Sequence, residues 1–189
     1  MSFYSNILPS YKTKKITTVE EAIGDLPKCL PYFDEEHHNK KISHSIPECN
    51  ISWHLPRYVN MRDMDTYRIL AEDVASGKME YDSVKIAQLY EEKIGSSSPI
   101  HRYHVLKKDD PSTTIIAHLY KDGHRFIHYD PEQQRSITVR EAARLQSFPD
   151  DFEFIGKQGN AYQMIGNAVP PKLAKAIAYS VYDLINKEA

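Results

Sequence analysis

Glycine is scarce, at 7 of 189 residues, and neither GxGxxG nor GxxxxGK[ST] occurs. The chain therefore carries no glycine-rich phosphate cradle of its own. Cysteine is almost as rare. Cys29 and Cys49 lie twenty apart, make no metal motif, and neither follows a proline; with no GxSxG either, no nucleophile stands in a recognisable setting. The two thiols read as reduced cysteines of a cytosolic protein. No apolar run nears the ~20 residues of a membrane helix, and the N-terminal MSFYSNILPSYKTKK lacks the apolar stretch of a signal peptide. A soluble, cytoplasmic protein with no membrane partner is expected. An excess of positive charge is also missing: Lys plus Arg is 24, Asp plus Glu is 26, and the net charge is −2. That excludes a strongly basic nucleic-acid-coating protein and leaves room for a local basic face.

What is present suffices for a folded core, with 41% hydrophobic residues, 13 Tyr and 6 Phe. The length suits one domain or two small ones. Residues 1–16, with Lys12, Lys14 and Lys15, read as a loose polar arm. Thr17–Pro27 reads as a short helix, capped by Thr18 with Glu21 three residues on and ended by Gly24 and Pro27. Residues 28–58 hold no sustained period and read as a long loop of the kind that lies on a partner or serves a function. Helices are expected over Met61–Ala75, with Met64, Tyr67, Leu70, Ala71 and Val74 at helical spacing, and over Tyr81–Ile94.

From residue 101 the period shortens. Tyr103–Leu106, Thr113–Leu119 and Arg125–Tyr129 are β-rich runs. Turn signals at Asp109-Asp110-Pro111 and Lys121-Asp122-Gly123 separate them, the second suited to a hairpin. A short antiparallel sheet is expected. Thr138-Val139-Arg140-Glu141 is a capping box that opens a helix, and Pro149 stops it. A final helix opens at Pro170-Pro171. Its stripe of Leu173, Ala174, Ile177, Ala178, Val181, Leu184 and Ile185 is broad enough to require cover. The fold class expected is α+β.

Nine histidines invite a metal hypothesis, but no cysteine pair and no HExxH accompany them. Strand alternation and loop surface account for them, and no metal site is expected. Glu91-Glu92, Asp109-Asp110 and Asp150-Asp151 read as solvated carboxylates, so no catalytic residue is assigned. Residues 101–146 differ in kind. Arg102, Lys107, Lys108, Lys121, Arg125, Arg135, Arg140 and Arg144 share this stretch with Ser112, Thr113 and Thr114. Such residues suit contacts with phosphates and base edges. The acidic Asp109, Asp110, Asp122, Asp130, Glu132 and Glu141 among them suit an ordinary mixed surface equally well.

Residues Arg135-Ser136-Ile137-Thr138-Val139-Arg140-Glu141-Ala142-Ala143-Arg144-Leu145-Gln146-Ser147-Phe148-Pro149-Asp150 strongly resemble motif IX of the DNA cytosine-5 methyltransferases. Gln163-Met164-Ile165-Gly166-Asn167-Ala168-Val169-Pro170-Pro171 resembles their motif X, in the same order and after a similar gap. Pro111-Ser112-Thr113-Thr114-Ile115-Ile116 is similar to the end of their target-recognition region, and Thr18–Pro27 to the segment after motif VIII. The family's cofactor loop, Pro-Cys nucleophile, Glu-Asn-Val motif and Gln-x-Arg-x-Arg motif are not in these residues.

The resemblance implies the recognising and closing parts of an enzyme that moves a methyl group from S-adenosyl-L-methionine to C5 of a cytosine flipped out of double-stranded DNA. It implies a large catalytic subunit carrying motifs I to VIII and the catalytic Cys, so that this chain is inactive alone. A chain starting with Met at the end of motif VIII is expected to be the smaller subunit of a split enzyme from a prokaryote or phage. Implied divisions are 1–58 as an arm and linker and 59–150 as a target-recognition domain. The remainder, 151–189, is a motif X segment whose helix completes the Rossmann-like α/β catalytic domain of the partner. Asn167, Ala168 and Val169 are the implied cofactor contacts. Thr114, Ser112, Thr113, Arg135 and Lys121 are the implied DNA contacts, with Thr114 nearest the flipped base. Thr138, Arg140, Glu141 and Arg144 are expected to hold the recognition sheet against the motif IX helix. An inactive fragment and a stand-alone DNA-binding regulator are the alternatives.

Overall fold

A computed structural model describes residues 8–11, 15–96, 103–121 and 123–187. Helix α1, Val19–Ile23, opens on the expected capping box: Glu21 N–H donates to Thr18 Oγ1 and Thr18 N–H donates to Glu21 Oε2, both at 3.2 Å. Its buried face is Val19 and Ile23. The stretch expected to be loop contains a short helix, α2, Glu35–Asn39, capped by Asp34. Helix α3, Met61–Ser76, follows an Asn60 cap and ends at Gly77, whose φ of 72° is the left-handed conformation glycine permits. Helix α4, Ser83–Ile94, is capped by Asp82. The Asp73 carboxylate fixes the α3–α4 turn by accepting from Glu80 and Tyr81 N–H at 2.9 and 3.0 Å.

The expected antiparallel sheet is not there. Among the described residues the extended runs form only isolated bridges, Pro31–His44, Val105–Ile127 and Ile127–Ser136, and the Val105–Ile127 pair is parallel. Ala117–Tyr120 and Gly123–Arg125 wind into 3-10 turns. Asp122, the middle of the expected hairpin turn, lies outside the described residues. The reason is burial. A strand of a one-sided sheet sends alternate residues to solvent, whereas Phe126, Ile127 and His128 are consecutive and at most 2% exposed. The α+β assignment is thereby corrected to a helical fold with bridged, irregular segments, and the Rossmann-completing role that belonged to that assignment goes with it.

Two cores result. The main one joins α1 through Val19 and Ile23 to Leu106, Ile115, Leu119, Phe126 and Ile137. It is closed by α5, Val139–Leu145, through Ala142 and Ala143, and by α6, Gln158–Asn167, through Ala161, Tyr162 and Ile165. The second packs Met64, Tyr67, Leu70 and Ala71 of α3 on Leu89, Val105 and Ile127. Helix α7, Pro171–Lys187, starts where Pro171 is expected to start it. The segment Leu8–Tyr11 packs along it, with Tyr11 stacked on Tyr179 at 5.9 Å.

Candidate functional site

The motif IX segment builds a buried polar network. Arg135 and Glu141 are each 1% exposed and paired bidentately, Nη1 to Oε2 and Nη2 to Oε1 at 2.7 Å. The remaining Arg135 donors go to Gln133 Oε1 and the Ser136 carbonyl. Glu141 also completes the α5 capping box, accepting from Thr138 N–H at 2.6 Å. Burial pushes its carboxyl up, but the Arg135 charge and hydrogen bonds outweigh that and hold it well below the usual range, at about 2.

Three neutral histidines surround this pair, each with one ring nitrogen donating and one accepting. His128 Nδ1 accepts from Asp130 N–H at 3.1 Å, which leaves its proton on Nε2, 3.6 Å from Glu141 Oε1. His44 donates from Nε2 to the Gln133 carbonyl at 2.8 Å and accepts at Nδ1 from the Ser43 hydroxyl at 2.9 Å. The Ser43 oxygen is itself occupied by Val59 N–H. His54 donates to the Pro27 carbonyl at 2.8 Å and accepts from the Thr138 hydroxyl at 3.1 Å.

Among the described residues no sheet is present, and Arg140 and Arg144 brace loops. Arg140 donates to Ser52 Oγ and to the carbonyls of Ser52, Pro149 and Phe152. Arg144 spans Asp25 at 2.5 Å and Asp150 at 2.7 Å, tying α5 to the end of α1. Ser147 closes α5 with φ of 65°, and its hydroxyl accepts from Lys172 N–H at 3.1 Å. It thereby caps α7, which Pro170 cannot do.

The residues expected at DNA are divided by burial. Thr113, Thr114 and Lys121 are exposed and Ser112 is half-buried, its hydroxyl turned to the Thr113 carbonyl at 2.9 Å. Lys121 lies over the Tyr120 ring. Arg135 is fully engaged in the interior and has no donor left for a phosphate. Arg125, named in the basic run but not among the implied DNA contacts, is exposed. Together with Tyr103, His104, Ile116 and Phe126 it lines a cavity of about 340 Å³ at Thr113 and Thr114. In a linear reading both arginines were members of one basic run; the carboxylate six residues after Arg135 was the signal that separates them.

The motif X segment is helical at Gly166-Asn167, although both residue types favour turns. It is the last turn of α6, followed by Ala168 in extended conformation. A Cβ on Gly166 would sit 2.5 Å from the Ile116 carbonyl oxygen and 2.8 Å from Ala117 Cα. Glycine here permits α6 to lie directly on the backbone that follows Thr114. Gln146 adds a bond to the Ile165 carbonyl at 3.1 Å. Beyond that clamp Asn167 is exposed, Ala168 half-buried and Val169 58% exposed. Among the described residues the Asn167 amide has no hydrogen-bond partner. An amide and an apolar strip at one edge suit a small polar molecule held from its other side by something else. Neither thiol is poised as a nucleophile: burial pushes Cys29 up to about 11, and Cys49 Sγ–H rests on the Ile51 carbonyl at 3.5 Å.

The family model for C-5 cytosine-specific DNA methylases matches residues 4–183. Type II methyltransferase M.Bpa9945I of Bacillus paralicheniformis is 39% identical over 134 residues, covering 70% of this chain and 30% of the relative. Type II methyltransferase M.BbvI of Brevibacillus brevis is 30% identical over 177 residues, covering 92% of this chain and 38% of the relative. Type II methyltransferase M.AgeI of Thalassovita gelatinovora is 43% identical over 90 residues, covering 48% and 20%. The chain spans less than half the length of these curated relatives. With nearly its whole length matched by that one family model, the chain belongs to the C-5 cytosine-specific DNA methylase family.

Proposed function

We propose that this chain is the DNA-recognising and cofactor-pocket-completing subunit of a cytosine-5 DNA methyltransferase whose nucleophile is supplied by a larger chain. Two observations support a nucleophile supplied by another chain. The Pro-Cys motif is not in these residues, and the two thiols present are a buried one and one turned onto a carbonyl.

The observation that carries the reading is the single step from Gly166 to Asn167. Gly166 holds α6 against the backbone after Thr113 and Thr114, and Asn167 turns an unspent amide outward one residue later. A rigid link thus joins the proposed DNA edge to the proposed cofactor edge. The Asn167 amide, with a donor and an acceptor, fits the ammonium and carboxylate end of S-adenosyl-L-methionine. Ala168 and Val169 provide an apolar wall beside it. When bound, the cofactor supplies the methyl group. This chain's own task is to orient that molecule from one side, to exclude water with Val169, and to place Thr114 beside the target base.

The test is methyl transfer from labelled S-adenosyl-L-methionine to unmethylated duplex DNA. This chain, a larger chain carrying the cofactor loop and Pro-Cys motif, and their mixture are assayed in parallel. Transfer in the mixture alone is expected, and Asn167→Ala should raise the KM for the cofactor about tenfold, the loss of one charge-assisted bond. A silent mixture, or transfer by this chain alone, overturns the proposal.

A further inference from the structure

Two cavities among the described residues differ in charge. The larger, of about 660 Å³, has Lys28, Lys107 and Lys108 on its walls, but Glu20, Asp110 and Asp130 are there as well. Lys28 is spent on Asp130 at 2.9 Å and Glu132 at 2.7 Å, and Lys108 faces Glu20 at 3.7 Å. That groove neutralises itself. The cavity at Thr113 and Thr114 has no carboxylate among its described lining residues. Arg125 is exposed there and meets no acidic partner among the described residues, whereas Arg68, Arg135 and Arg144 each meet one. Loss of hydration, and then the Lys107 and Arg125 charges, hold the His104 imidazole below its usual range. The local field is therefore positive although the whole chain carries −2.

The lining chemistry chooses the ligand. A guanidinium, an imidazole and two hydroxyls converge as hydrogen-bond donors, while Tyr103, Ile116 and Phe126 supply an apolar wall. An arginine can bridge a guanine edge as well as hold a phosphate, whereas an adenine edge needs a paired donor and acceptor such as a side-chain amide, and none is among the described lining residues. A volume of about 340 Å³ is at the lower end for a ligand site and suits one nucleotide unit. Ile116 belongs both to this wall and to the backbone on which Gly166 sits. An occupant would thus be positioned relative to Asn167 through backbone alone.

We propose that this cavity seats one backbone phosphate of the target duplex with its adjoining sugar, with Arg125 as its charged ligand and the His104 imidazole as a neutral hydrogen-bond donor beside it. The assignment rests on the reading of the chain as the DNA-recognising part. It adds two contacts that neither sequence motif contains, and it replaces Arg135 by Arg125.

The experiment is fluorescence anisotropy of the full chain with labelled duplexes of several sequences, titrated across salt concentration. Arg125→Gln should bind about tenfold more weakly on every sequence, and its log–log salt slope should be shallower by about one, the mark of one lost phosphate contact. His104→Gln should weaken binding in the same sequence-independent way. Lys28→Gln, in the acid-lined groove, should leave binding unchanged. An unaltered melting midpoint for Arg125→Gln shows that its loss is not one of folding. Unchanged affinity and slope for Arg125→Gln overturn the proposal, as does a loss confined to one sequence, which would make the site a base reader. A wild-type chain that binds no duplex also overturns it, because every described lining residue of the cavity belongs to this chain. The parent reading is judged separately, by methyl transfer in the mixture. Transfer that proceeds while Arg125→Gln binds normally removes only this site.

Discussion

At the scale of single residues, the histidines around Arg135 and Glu141 set how the fold responds to acid. Each already has a donor pointed at its accepting nitrogen: Asp130 N–H for His128, the Ser43 hydroxyl for His44, the Thr138 hydroxyl for His54. A second ring proton would face those donors inside the core. Burial, with Arg135 nearby, pushes His44 down to about 4 and His128 to about 3, and burial lowers His54 as well. The unfolded value is about 6.5. Folded values below unfolded ones mean that the stabilisation is complete above pH 6.5 and is lost as pH falls through that value. Each histidine contributes up to about 1.4 kcal/mol per pH unit in that window. Glu141 has the same sign at lower pH: its contribution is present above about 4.5 and is lost as the carboxyl protonates toward about 2. The urea midpoint should hold steady from pH 8 to 7 and fall steeply between 6 and 4.5. A midpoint that stays level down to pH 5 would show that these histidines are charged or solvated in the folded chain.

Among elements, the contact of α6 with Ala117–Tyr120 is the one on which both proposed sites depend. Its limiting feature is Gly166, because the atoms a Cβ would strike are backbone and have no rotamer to retreat to. Gly166→Ala should cost about 1–3 kcal/mol as overpacking and should also separate the Thr114 edge from Asn167. The chemical melting midpoint reads the first effect, and methyl transfer by the mixture reads the second. A variant as stable and active as wild type would mean that the helix end can shift without consequence. This element was invisible beforehand. Gly159, Asn160, Gly166 and Asn167 are turn formers by propensity, and only the fit of Ala161, Tyr162 and Ile165 into the core makes the segment helical. The capped helices were legible for the opposite reason: Thr18 with Glu21 and Thr138 with Glu141 satisfy backbone donors locally, without help from the rest of the chain. The β-rich runs misled because β-branched and aromatic residues record burial on a half-covered surface. Here Val105, Leu106, Phe126 and Ile127 are buried on both sides. The site was legible in the same measure. Of the proposed site, Thr113 and Thr114 come from their similarity to the family's recognition segment, while preferring Arg125 to Arg135 required knowing which one Glu141 engages.

For the whole molecule, the outstanding feature is how little of α7 is covered. Leu173, Ile177, Val181, Tyr182 and Ile185 are 37–65% exposed. Along the rest of the helix Ser180 is fully buried, and Tyr11 bonds Asp183 at 2.5 Å. An apolar stripe of this extent is a liability in water unless another surface meets it. The proposed catalytic chain is the partner that the reading of α7 as the segment following motif X requires. Substitution then separates folding from assembly. Ile177→Asp with Val181→Asp removes side chains that contribute little to this chain's own core, so its thermal midpoint should change by no more than about 0.5 kcal/mol equivalent. The same pair should abolish co-elution with the larger chain and, with it, methyl transfer by the mixture, since a charge buried at an apolar interface costs several kcal/mol. The matched change Ala143→Asp in α5 should do the reverse and unfold the chain itself, because Ala143 is wholly buried. If the α7 variant co-elutes and supports transfer like wild type, the catalytic chain docks elsewhere and the exposed stripe serves some other contact.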